Sequence, residues 1–243
     1  MREHADRDLV NPDQKRARGA SQWAELGVLL LAGNLANLVS WRLGYPINSG
    51  PVTIVLACAL YAYIGPAVWR ERRYRMHALR RPLRSFVFAL GAAAALTAPS
   101  LVFLWISATH GGLHYPQIQS LSVHALLVRV LVEIPLLTAL VEELVFRQYL
   151  LVRFASSTTL RTLAGNVLIF TLWHLVVTLR TVMDTSYARD PWLLALSYLG
   201  ALGTIAIGGA VFALVRLRTG SFLWSALSHW ATDALLTIAT WLL

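Results

Sequence analysis

Long windows without a single charged residue constrain this chain more than anything else in it. Residues 52–69, 86–109 and 191–215 contain no Asp, Glu, Lys or Arg. A helix needs about 20 apolar residues to cross the hydrocarbon core of a bilayer, so windows of this kind read as membrane spans. Composition points the same way: 57% of the 243 residues are hydrophobic and 14% charged, whereas soluble domains carry about 25% charged residues. A soluble enzyme would lack polar surface, and a disordered chain would not be this apolar. The net charge of +9 would suit a nucleic-acid binder only if the basic residues gathered on one soluble face. They lie between apolar runs instead, so nucleic acid is not an expected partner and membrane lipids are. The single cysteine, Cys58, sits inside a run and can form no internal disulfide.

The pattern predicts an all-α, polytopic transmembrane bundle of about seven spans, near residues 23–43, 52–69, 86–109, 122–152, 160–180, 191–215 and 219–243. The fourth holds Arg129, Glu133, Glu142, Glu143 and Arg147 and is expected to be tilted, broken at Pro135, or split in two. Residues 1–22 have mixed charge, unlike a cleaved signal, and read as a solvated, poorly ordered cytoplasmic tail. Residues 23–121 form a first group of helices and residues 122–243 a second. Loops rich in Lys and Arg stay in the cytoplasm. The tail, the loop from Arg70 to Arg84, Arg153 with Arg161, and Arg216 with Arg218 alternate with poorly basic loops, which puts the N-terminus inside for seven spans. Six or eight would leave one basic cluster outside. Twenty of the 21 basic residues are Arg, a hint of a GC-rich bacterial genome and thus of a bacterial inner (plasma) membrane.

An ionisable group at the bilayer centre costs about 2.5–3.5 kcal/mol on insertion scales, so those that remain there ask for a reason. Counting from the nearest cytoplasmic Arg at about 1.5 Å per residue, Glu142, His174 and His229 lie about 16, 20 and 16 Å deep. Three separate spans therefore bring a carboxylate and two imidazoles to one level. Glu143 and Arg147 are four apart in the order that favours an intrahelical ion pair. Glu142, about 100° around the helix, is left free as a general base. Asp233 stands one turn after His229, where it can orient the imidazole. Arg129 and Glu133 read as a structural ion pair, His110 and His114 as members of a solvated loop, and Trp69, Trp192 and Trp241 as interfacial anchors.

Several protease chemistries are absent from the string. There is no H-E-x-x-H, no G-x-S-x-G and no G-x-G-D. What remains is a glutamate and histidine site. Glu142-Glu143-Leu144-Val145-Phe146-Arg147, then Phe170-Thr171-Leu172-Trp173-His174, then His229-Trp230-Ala231-Thr232-Asp233 resembles the E-E-x-x-x-R, F-x-x-x-H and H-x-x-x-N/D series of the CPBP (Abi) family. That family contains type II CAAX prenyl endopeptidases and bacteriocin self-immunity proteins. Gly220-Ser221-Phe222-Leu223-Trp224 leads into the last motif as the family's G-S run does. The resemblance covers residues 122–243.

It implies a membrane-embedded endopeptidase acting on a membrane-associated or prenylated peptide or protein. Glu142 and His174 would activate a water, His229 and Asp233 would take the oxyanion-stabilising positions, and Glu143, Arg147 and Phe170 would support the site. A metalloendopeptidase remains open, with Glu142, His174, His229 and in one version Asp233 as ligands of a Zn²⁺ ion. Also open is a non-proteolytic scaffold or self-immunity protein of the same fold. Two positions depart from the family pattern. Asp233 replaces the Asn of the prenyl endopeptidases, so it is protonated, orients His229, or binds a metal. Gln148 replaces a frequent Gly after the motif's Arg, which narrows the local packing.

Overall fold

The computed structural model describes residues 12–46, 50–70, 82–109, 115–155 and 158–243. Among them every regular element is helical. Three long helices come first: α1 Pro12–Arg42, α2 Pro51–Arg70 and α3 Pro82–Thr109. Each begins on a proline, whose missing N–H costs nothing in a first turn. A short α4, Pro116–Gln119, precedes the 31-residue α5, Val123–Arg153. Then follow α6 Thr159–Trp173, α7 Leu175–Met183, a 3-10 turn Ser186–Arg189, α8 Pro191–Thr219 and α9 Phe222–Leu242.

Five helices are long and apolar enough to cross a membrane, and the bent pair α6–α7 makes a sixth if it crosses as one span. The chain is a multi-pass membrane protein, but the count of about seven is not reached by that criterion. Helix α9 has the length, 21 residues, yet Ser225, Ser228, His229, Thr232 and Asp233 dilute its apolar character. The tail expectation is also revised, since α1 already begins at Pro12 and takes in half of it; residues 1–11 lie outside the described residues. So do His110 and His114 and most of the basic loop from Arg70 to Arg84.

Helix α5 is the axis of the bundle. It is neither broken at Pro135 nor split. Two of its stretches, Arg129–Ala139 and Glu143–Leu150, are π-helical, and the Leu140 N–H reaches back five residues to the Pro135 carbonyl. The wider register carries the helix past a residue that has no N–H to give. All eight residues from Glu143 to Leu150 are buried. Around them Leu26 and Leu29 of α1, Leu60 and Ile64 of α2, Phe170 and Trp173 of α6, and Phe222 of α9 close one apolar core. Helix α9 packs along α3 and α5, and α8 along α6, α7 and α9. Leucines, valines and phenylalanines left exposed on α1, α2, α3 and α8 form the outer face expected of a protein solvated by lipid.

The fifth expected span, read as one helix over 160–180, is bent by 50° between Trp173 and Leu175. Trp69 and Trp192 stay largely exposed, at 89% and 79%, as anchors at a membrane interface should. Trp241 instead turns inward, and its indole N–H donates to the Leu121 carbonyl at 2.8 Å. The Gly220-Ser221 pair is a helix boundary. Gly220, at φ +74°, ends α8 in the left-handed conformation that glycine adopts without penalty, and the Ser221 hydroxyl caps α9 by accepting from the Leu223 N–H.

Helix α1 approaches α6 at Gly33, where an added Cβ would lie 2.3 Å from Cζ3 of Trp173. Gly33→Ala is expected to cost about 1–3 kcal/mol, the usual range for overpacking, and to lower the thermal unfolding midpoint of detergent-solubilised protein. Gly65→Ala, at a position with nothing within 4 Å, should leave the midpoint unchanged.

Candidate active site

The ionisable residues that the sequence places at one depth come together around Glu142. The Oε2 atom of Glu142 lies 3.4 Å from Nε2 of His174 and 3.9 Å from Nε2 of His229. Asp233 joins from one turn along α9, with Oδ2 3.4 Å from the same His229 nitrogen. Its side chain is 34% exposed, whereas Glu142, Glu143, Arg147 and His229 are all buried.

His174 stands at the junction of α6 and α7, with φ −94° and ψ 3°, and its N–H bonds three residues back to the Thr171 carbonyl. Its Nδ1 faces the Phe170 carbonyl oxygen at 2.7 Å. A carbonyl only accepts, so Nδ1 carries a hydrogen and Nε2 is the nitrogen turned to Glu142. Phe170 thus fixes the tautomer through its backbone, and its ring packs on the imidazole with centroids 4.4 Å apart.

His229 is held from both sides. Its Nδ1 lies 3.1 Å from Oε1 of Glu143, and its ring stacks on Phe212 with centroids 4.5 Å apart and planes 19° apart. The helical rotation between Glu142 and Glu143 predicts that they serve different tasks on different faces. They differ in partners, but both reach His229, because an imidazole wedged between two long side chains offers one nitrogen to each.

Glu143 also makes the expected pair with Arg147, Oε2 to Nε at 3.4 Å, both side chains 0% exposed. The guanidinium donates to the Gly209 carbonyl at 3.0 Å and lies over the Phe170 ring, 4.1 Å from its centroid. Gly209 has no room for a side chain, since a Cβ there would meet Phe170 at 2.8 Å. The Ser225 hydroxyl lies 2.5 Å from Oε2 of Glu143 and 2.8 Å from the Phe212 carbonyl, and can donate its one proton to either. Arg129 and Glu133 pair at 3.6 Å, away from this cluster. Gln148 is fully buried where the pattern often has Gly, leaving the Glu143–Arg147 pair in place.

Four contributors escape the motif reading. Ser225 was legible as the residue one turn before His229 on the same face. Gly209 and Phe212 of α8 carry no local signal. Asn34 of α1 is separated from the motifs by more than a hundred residues, yet it bonds to the backbone on both sides of His174. A small cleft reaches Glu142 from the side of α1 and α2, lined by Ala36, Leu56, Leu60 and Val177 and by the polar Asn37, Thr53 and Thr138.

The fit for a metal can be judged from the same distances. Tetrahedral Zn²⁺ with bonds of about 2.0–2.1 Å holds neighbouring ligand atoms about 3.3–3.4 Å apart. The His174 nitrogen meets that spacing from Glu142, the His229 nitrogen does not, and that nitrogen is shared with Asp233. Among the described residues no group of three or more His, Cys, Asp or Glu side chains is arranged to hold a metal ion.

Removing one partner of a buried ion pair leaves the other charge uncompensated, at a cost of about 3–5 kcal/mol. Glu143→Ala and Arg147→Ala are each expected to lower the thermal midpoint sharply. The double variant Glu143→Ala with Arg147→Ala should lose less than the sum of the two single losses, as measured by a double-mutant cycle on unfolding in detergent.

Residues 124–235 match the family of type II CAAX prenyl endopeptidases described as Rce1-like. No curated protein and no solved structure matches the chain. The matched segment spans α5 to α9 and carries Glu142, Glu143, Arg147, Phe170, His174, His229 and Asp233. Over that segment the chain is similar to the CAAX-protease-like membrane endopeptidases, and the match supports the CPBP family.

Proposed function

We propose that this protein hydrolyses a peptide bond of a membrane-associated or lipid-modified substrate with a water activated by Glu142 and His174. The observation that carries the reading is the meeting of Glu142 Oε2 and His174 Nε2 at 3.4 Å, with Glu142 lining a small cleft. In this reaction a water beside the pair bonds to both atoms. Glu142 takes its proton while the basic His174 nitrogen aligns it, and the oxygen attacks the scissile carbonyl carbon. The carbon–nitrogen bond then breaks, and Glu142 returns the proton to the departing amine.

Negative charge develops on the carbonyl oxygen as the water adds, and a nearby N–H lowers that barrier. His229 is the donor. Glu143 on Nδ1 holds the imidazole in register, and Nε2, 3.4 Å from Asp233 and 3.9 Å from Glu142, is the nitrogen whose hydrogen turns to the developing charge. An ionised Asp233 cannot itself donate to an oxyanion, and its contact with Nε2 favours the orienting role. Buried Glu143 and Arg147 keep α5, α8 and α9 at the spacing the cluster needs. Leu56, Leu60, Leu137 and Val177 on the cleft wall suit the apolar part of a substrate arriving from lipid, and the alternation of basic loops supports a cytoplasmic N-terminus in a plasma membrane.

The test uses purified protein in lipid nanodiscs and two peptide reporters, one anchored by a farnesylated C-terminal cysteine and one by an unmodified transmembrane helix. Glu142→Gln and His174→Ala are each expected to slow cleavage about 10²–10⁴-fold, the range supplied by general acid–base catalysis. Full activity in either variant would overturn the mechanism, and no cleavage of either reporter by the native protein would favour a scaffold or self-immunity role. His229→Leu is expected to lose about 10²–10³-fold, as for an oxyanion donor, and Asp233→Asn less, because an amide still bonds the ring. Cleavage should survive treatment with a chelator. A loss that Zn²⁺ restores would put a metal in place of the side-chain mechanism.

A further inference from the structure

The bend that presents His174 has a cause outside the family-matched segment. In an uninterrupted α-helix the Val176 N–H would donate to the Leu172 carbonyl, four residues back. Here neither group bonds to the other through that contact. The Asn34 carboxamide stands between them, its Nδ2 donating to the Leu172 carbonyl at 3.0 Å and its Oδ1 accepting from the Val176 N–H at 3.1 Å. The second Nδ2 hydrogen goes to the Leu30 carbonyl of its own helix at 3.0 Å. Because a carbonyl can only accept and an N–H can only donate, the two contacts also fix which end of the amide is which.

A side chain inserted into the i to i−4 ladder is one of the few things that sharply kink a helix. The 50° bend lies at this point, and His174 lies inside the four-residue loop the amide has opened. Regular bonding resumes at once, with the Thr178 N–H on the His174 carbonyl at 2.9 Å. Helix α1 is brought close enough to reach because Gly33, the residue before Asn34, leaves room for the Trp173 ring. In a bilayer no water would satisfy the freed carbonyl and N–H, so the break needs a polar side chain from a neighbouring helix.

We propose that Asn34 is a positioning residue for His174, a carboxamide wedge that opens the α6–α7 helix and aims the imidazole at Glu142. It touches neither the substrate nor the reacting water. The proposal rests on the assignment of His174 to water activation, and the experiment separates the two. Asn34→Leu keeps the size of the side chain and removes both bonds, letting Val176 return to Leu172 and the helix straighten. Asn34→Asp keeps the acceptor for Val176 and loses the donor.

With the farnesylated reporter in nanodiscs, Asn34→Leu is expected to lower kcat by at least about tenfold with KM within about twofold, the pattern of a lost transition-state interaction. Asn34→Asp should lose less. In a His174→Ala background the leucine substitution should cost nothing further. A readout independent of activity comes from spin labels on cysteines introduced at the exposed positions Leu160 and Met183, with the native Cys58 replaced by serine. Straightening a 50° bend between segments of 14 and 9 residues lengthens the separation by roughly 3 Å at 1.5 Å per residue. An unchanged separation and an unchanged kcat in Asn34→Leu, with His174→Ala inactive, would overturn the wedge and leave the proposed function standing. Additive losses in the double variant would overturn it as well. Full activity of His174→Ala would remove the proposed function and this inference with it.

Discussion

The contact on which the site depends is the buried pairing of Glu143 with Arg147. Neither side chain is reached by solvent, so each must find its polar partners inside the bundle. Around that pair the bundle supplies what a bilayer cannot: the Gly209 carbonyl and the Phe170 ring for the guanidinium, the Ser225 hydroxyl and the His229 ring for the carboxylate. Three helices besides α5 are thereby fixed to one point. The pair is a weak source of net stability, since desolvating two charges consumes most of what their attraction returns. Its value is positional, for a cluster that must keep Glu142, His174 and His229 within a few ångströms of one another.

The two histidines are controlled by different means. His174 is set by backbone: the Phe170 carbonyl defines its tautomer, and a helix break defines where its ring points. His229 is set by side chains, with carboxylates at both nitrogens and an aromatic plane at its back. That division suits the roles proposed for them. A nitrogen that aligns a water is served by a fixed lone pair, and a donor to developing charge by a ring anchored at Nδ1 with its Nε2 hydrogen held only by a longer contact.

Much of this was legible in the sequence. Scarcity of charge made the all-helical membrane class plain, and the depth estimate brought Glu142, His174 and His229 to one level, where the structure gathers them. The four-residue spacings gave both ion pairs of α5 and the contact between His229 and Asp233. What escaped has physical reasons. Pro135 is a helix breaker by propensity, yet a π-helical register carries α5 past it, and propensity holds no record of that choice. The 100° rule separates Glu142 from Glu143 but says nothing of a ring from another helix that spans the gap. The bend at His174 is invisible in residues 160–180, because the group that makes it lies on α1. The seventh span is unsettled for a related reason: the residues that make α9 functional are the ones that make it less apolar.

The burial of every residue from Glu143 to Leu150 has a bearing on how the protein is made. Helix α5 carries two carboxylates and a guanidinium into the membrane, and apart from their own pairing the groups that satisfy them are all synthesised later: Phe170 and His174, then Gly209, then Ser225 and His229. A nascent chain that stops short of α9 holds α5 without Ser225 and His229, and a charge left unpaired in lipid costs about 2.5–3.5 kcal/mol on insertion scales. The helix that becomes the centre of the bundle is therefore the one least able to leave the insertion machinery alone, and the arrival of α9 completes its set of partners.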